Sequence, residues 1–257
     1  MKTTRITFLA MVVMAAFVFT ACNNDEEPVA DNTDNTNTDG VPDVYKKIYG
    51  ASEIYIDGDF VVIKTDGIPD HKSPYYEDTQ WSDRYEAYNG TNPNWHQNPN
   101  EISLTSVTYR IPLNPVELSS GNQSTSLGSM GISLNGVAFF NQYAGPNNQP
   151  LTDEINSFDQ YNGHPQQQGV YHYHLEPTYL TDNQGKDALL GFLLDGFPVY
   201  GPMESGILVQ ESDLDNFHGH KHATLDYPDG IYHYHITDQD PYINGDGYKG
   251  TPGTMTR

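Results

Sequence analysis

The sequence predicts a mainly β protein with a few short helices: a single domain, sandwich- or barrel-like, built from an internally duplicated β unit. Three observations predict it. Gly, Pro and Tyr are abundant among the 257 residues while charged residues make up only 18%, a strand- and turn-rich composition. β-prone runs alternate with Asn-Gly and Asp-Gly turn signals, and no segment carries a long helical period. A set of short sequence words also occurs twice in the same order, the mark of an internal repeat.

The ends of the chain are set apart from this domain. Residues 1–21 carry Lys2 and Arg5 and then an apolar run, Phe8 to Phe19, too short for a membrane span. The only cysteine, Cys22, directly follows Ala21. This segment resembles a bacterial lipoprotein signal, which implies that Cys22 is lipidated and becomes the first residue of the mature protein. Residues 22–43 offer almost nothing to a core and read as an acidic, solvated tether. Asp25, Glu26 and Glu27 resemble the export signal of surface-exposed lipoproteins. The expected location is the bacterial outer membrane, lipid-anchored at Cys22, on the cell surface or the periplasmic side.

The globular domain spans residues 44–257. Glu53 to Lys64 is two β-prone runs around Asp57-Gly58, a hairpin signal. Ile102 to Leu113 alternates apolar and polar residues as a half-buried strand does. Met130 to Tyr143 and Ala188 to Tyr200 are apolar stretches broken by Asn135-Gly136 and Asp195-Gly196. Asp153 to Asp159 and Val209 to Asn216 suit short helices.

Charge and cysteine count exclude several functions. With 12 Lys+Arg against 34 Asp+Glu, the formal net charge of −22 leaves no basic face for nucleic acid or for an anionic lipid surface. One cysteine excludes an intramolecular disulfide framework and any multi-thiolate metal site.

The repeat covers about 134–176 and 194–237. Leu134-Asn135-Gly136-Val137 is matched by Leu194-Asp195-Gly196-Phe197, and the segment from Asp159 to His164 by that from Asp215 to His220. Each copy ends in the same word, Tyr171-His172-Tyr173-His174 and Tyr232-His233-Tyr234-His235. Side chains alternate across a strand, so the two histidines of each word share one face and the tyrosines the other. Two imidazoles at that spacing can converge on one ion. His164 and His220 offer a third ligand at equivalent places.

Two triads follow, His164, His172, His174 and His220, His233, His235. A single shared site of the four strand histidines arises instead if the copies pack face to face. Imidazole donors suit Zn or Cu. His218 and His222 are expected to be solvent-facing extras or a weak accessory metal patch, and Asp159 and Asp215 to orient an imidazole or cap a helix. Asp195 is expected to form an Asx turn before Gly196. Three functions fit the sequence: a metal-binding envelope protein; a metal- or His-dependent enzyme, such as a hydrolase; and a glycan- or polymer-binding module with structural histidines. No small-molecule or glycan ligand is specified.

The two Tyr-His-Tyr-His words, Asp195-Gly196-Phe197-Pro198-Val199-Tyr200-Gly201-Pro202 and Gly67-Ile68-Pro69-Asp70-His71 together resemble the YHYH-domain family of secreted bacterial proteins, over roughly residues 50–250. The resemblance implies that His71 belongs to the same pattern, making His71 and Asp195 additional site residues. It also implies a cysteine clamp around Leu214 to Gly219, which this chain lacks.

Overall fold

Apolar runs between glycine-containing turns give short strands, and sixteen are formed among the described residues. The computed structural model describes residues 38, 40–245 and 247–257, all within the unit Thr36–Arg257. The lipoprotein signal, Cys22 and most of the tether lie outside the described residues.

Strands β1 (Glu53–Asp57) and β2 (Phe60–Thr65) form the hairpin expected around Asp57-Gly58, with Gly58 at a φ of 59° in the turn. β2 pairs with β3 (Val107–Pro112), whose strict buried/half-buried alternation fits a strand with one face on a core. β3 is shorter than the run from Ile102 to Leu113, because residues 102–106 form no ladder.

The duplicated unit forms a second sheet. Its first copy supplies β4 (Ser129–Ser133), β5 (Ala138–Phe140), β6 (Tyr143–Ala144), β7 (Gln149–Pro150), β8 (Gly163–Pro165) and β9 (Tyr171–Tyr173). Its second copy supplies β10 (Leu189–Leu193), β11 (Pro198–Tyr200), β12 (Met203–Glu204), β13 (Ile207–Leu208), β14 (Gly219–His222) and β15 (Ile231–His235). Eight of these strands align in the order β14-β15-β11-β10-β4-β5-β9-β8, while β6-β7 and β12-β13 form two small ribbons.

That order is a pseudo-two-fold. β4 and β10 pair antiparallel at the centre, and each copy then runs outward in the same sequence. β16 (Thr254–Thr256) joins the far side of β3, completing a four-stranded sheet. The two sheets share one hydrophobic core, in which Val61, Ile63, Tyr109 and Ile111 cluster with Ile132, Val137, Phe192 and all four tyrosines of the repeated words. The arrangement is sandwich-like. The barrel alternative fails: the eight-stranded sheet ends at β14 and β8, which have no partner to close it.

Helix is scarce. The stretches Asp153 to Asp159 and Val209 to Asn216 contain only 3-10 turns, Glu154–Ser157 and Glu211–Asp213. The longest helix among the described residues, α2 (Thr178–Gln184, after the one-turn α1 at Asp43–Lys46), starts after Pro177 and stops at Gly185.

Candidate metal centre

The outer hairpins of the eight-stranded sheet build the histidine groups. In the antiparallel β8–β9 ladder His164 lies directly opposite His172, and in β14–β15 His220 lies directly opposite His233. His174 and His235 follow two residues later on the same face. Each triad is therefore a cross-strand pair plus a same-face neighbour. Because β4 and β10 hold the copies back to back, the triads lie toward opposite ends of the sheet. The single shared site is ruled out by this topology: there are two separate groups.

The imidazoles are aimed by their Nδ1 atoms. His172 donates Nδ1–H to the Val170 carbonyl and His233 to that of Ile231, both at 3.0 Å. His174 donates to Asn141, and His235 to Gly201 at 2.8 Å. His220 faces the Asp213 carbonyl at 3.2 Å, and His164 the Ser157 hydroxyl at 2.8 Å, whose own proton goes to the Glu154 backbone carbonyl. With the proton on Nδ1, the Nε2 atoms of His172, His174, His220, His233 and His235 present lone pairs inward, whereas His164 also meets the Asn98 amide at Nδ1 and the Glu154 carboxylate at Nε2.

The Nε2 atoms converge. His172 Nε2 is 3.1 Å from His164 Nε2 and 2.9 Å from His174 Nε2, and His220 Nε2 is 3.1 Å from His235 Nε2. Four ligands at 2.0–2.1 Å around a tetrahedral ion would be about 3.3 Å apart. His233 Nε2 is buried with no hydrogen-bond partner, so one acceptor of the second group is orphaned.

A carboxylate completes each group. Glu154 Oε1 is 3.1 Å from His164 Nε2, while Glu204 lies 3.6 Å from His220 Nε2 and 3.7 Å from His233 Nε2. Burial and neighbouring imidazoles hold His172 well below its usual range, and burial holds His174, His233 and His235 down to about 4. Burial alone would raise Glu154 and Glu204, but their hydrogen bonds and the histidine fields hold both below the ordinary carboxylate range. The buried His/Glu groups, Glu154-His164-His172-His174 and Glu204-His220-His233-His235, could each hold a metal ion.

The carboxylates were not legible from the repeat, because they are not repeat mates. Aligning Asp159 with Asp215 pairs Glu154 with Gln210, and aligning Phe140 with Tyr200 pairs Glu204 with Ala144. Glu154 comes from a 3-10 turn and Glu204 from β12. The same donor set is thus assembled twice from different elements.

The tyrosine face is structural. Tyr171 donates to Asp159 and Tyr232 to Asp215, each at 2.8 Å, so these aspartates neither orient an imidazole nor cap a helix. The second tyrosines meet the Asx residues of the repeat: Asn135 donates to Tyr173 at 3.1 Å, and Tyr234 donates to Asp195 at 2.7 Å. Asp195 also accepts from the amides of Phe197 and Gly250. His71 is buried, with Nε2 3.0 Å from the Tyr173 hydroxyl. His71 and Asp195 thus contact the tyrosines, on the face away from the histidine groups.

His218 is not solvent-facing, since it is buried 3.1 Å from Thr237 Oγ1. His222 is exposed and 2.9 Å from Glu204.

The profile of the YHYH protein family matches residues 108–207 and 204–250, which takes in both histidine groups and the central hairpins. The chain belongs to the YHYH protein family. No curated protein and no solved structure matches it. The matched YHYH region holds every histidine and carboxylate of the two groups; His71 precedes it.

Proposed function

We propose that this YHYH protein is a lipid-anchored envelope protein that binds two transition-metal ions, Zn or Cu, one at each histidine group. One observation carries the reading: at each end of the sheet, three imidazoles with Nδ1 already bonded turn their Nε2 atoms on one point beside an ionised glutamate. Facing acceptors repel one another, and a cation removes that repulsion. The carboxylate that the glutamate brings to each group suits a divalent ion. The chain's residues would hold the ion through imidazole and carboxylate donors, with backbone carbonyls fixing the ring orientations. Lipidation at Cys22 would attach the acidic tether, and the domain beyond it, to the outer membrane of a bacterium, on its surface or its periplasmic side.

The first group also opens into a cleft of about 1070 Å³ lined by Asn98, Asn100, Gln166, Phe140 and Arg257. Space of this size beside a metal centre favours, as a second reading, a metal-dependent hydrolase over a glycan-binding module with structural histidines.

The test is metal stoichiometry by elemental analysis after loading with Zn or Cu and desalting. Two ions per chain are expected, one in His172→Ala, one in His233→Ala and none in the double variant. A wild-type protein that retains no ion, and whose melting temperature ignores both metals, would end this reading.

A further inference from the structure

We propose that His222 and Glu204 form an outer, solvent-facing landing position for a divalent transition-metal ion, through which the second histidine group exchanges its ion with solution. The inference rests on the two-ion reading above and adds a route to one of its sites. Glu204 is shared between two sets of nitrogens. Its Oε2 lies 2.9 Å from His222 Nδ1 on the outside and 3.6 Å from His220 Nε2 on the inside. Its Oε1 lies 3.1 Å from His222 Nδ1 and 3.7 Å from His233 Nε2. The His222 ring centroid is 4.2 Å from that of His220, and the His222 side chain is 57% exposed. An ion held by His222 and Glu204 can therefore pass to His220 and His233 without releasing Glu204. One donor is exchanged at a time. A shallow cleft of about 540 Å³, lined by Glu204, His220, His222 and Asp213, opens this position to solvent.

The first group lacks the device. The repeat mate of His222 is Gln166, whose amide is a poor ligand for these ions, and Glu154 contacts the inner His164. The His164 side chain is 3% exposed against 12% for His220. The two groups should thus share a donor set and differ in exchange rate.

The experiment mixes the doubly Zn-loaded protein with excess chromogenic chelator in a stopped-flow instrument. The wild type should release zinc in two phases, the faster one absent from His220→Ala. His222→Ala should slow the fast phase about tenfold or more, a loss typical of removing a supporting ligand, while the slow phase and the two-ion stoichiometry stay unchanged. Unchanged phases in His222→Ala would overturn the proposal. Loss of an ion at equilibrium in that variant would overturn it too, by making His222 a resident ligand. A wild type that binds no zinc would fail the two-ion reading itself, a separate outcome.

Discussion

Asp195 shows how one carboxylate is tied to the repeat. Burial pushes it up to about 6, against the opposing pull of Tyr234 and the backbone amides of Gly250 and Phe197. Its folded value lies above its unfolded value near 3.8, so the folded chain holds this proton more tightly. That contribution to stability is complete below about pH 4 and is lost as pH rises through about 6. The non-titrating Asp195→Asn variant should therefore gain on the wild type by about 3 kcal/mol between pH 4 and pH 7, read as converging or crossing denaturation midpoints. A constant gap would show that Asp195 is not protonated in that range. Tyr234→Phe removes the hydroxyl that meets this buried carboxylate, and should cost roughly 1.5–3 kcal/mol in urea unfolding at pH 7.

The outer hairpins work because a glycine precedes each first histidine. At Gly219 a Cβ would strike the Tyr232 ring and the His233 carbonyl, and at Gly163 it would strike Tyr171. Each glycine lets a tyrosine run beneath its strand to reach Asp215 or Asp159 while the next residue, His220 or His164, faces its cross-strand partner. Gly219→Ala should displace Tyr232 at a cost of about 1–3 kcal/mol and spoil the β14–β15 register. The expected result is one ion per chain instead of two, with the first group intact. Retention of both ions would show that the ladder tolerates the methyl group. The tyrosines thus act at the element scale, as the pegs that fix which way the histidines face.

Across the whole molecule, buried neutral histidines set the acid limit. Burial holds His174, His218, His233 and His235 at about 4 and His172 well below its usual range, whereas the unfolded chain takes up these protons near 6.5. Between those values the unfolded chain binds more protons, so stability is full above about 6.5 and is lost as pH falls toward 4. Asp195 works in the opposite direction over part of this window, one group against five. The metal-free protein should melt at progressively lower temperature from pH 7 to pH 4, and bound metal should be released over the same range, since protons and ion compete for the same lone pairs. A flat melting profile would contradict the buried, neutral state of these rings. Because the triads stand toward opposite ends of the sheet, each should be lost by local mutation without the other.

Much of this was legible in the chain itself. The period of two in Tyr-His-Tyr-His dictates that histidines and tyrosines part to opposite faces, and the repeat dictates that it happens twice. Asn135-Gly136 and Asp195-Gly196 mark the turns of β4–β5 and β10–β11, where glycine takes the positive φ each turn needs. The upstream histidines are legible too, because each occupies the same place before its strand word. Tertiary structure alone decided the rest. Whether the copies share a site depends on β4 pairing with β10, a contact between distant segments that no local period encodes. The glutamates depend on how a 3-10 turn and a two-residue strand fold back over the sheet, and repeat symmetry does not place them. His218 and His222 flank His220 in one segment, yet one is buried and the other exposed. His218 lies just before β14 with a positive φ of 70°, whereas His222 ends the strand. Alternation fixes which face a side chain takes within a strand. Packing between distant elements fixes what it meets there.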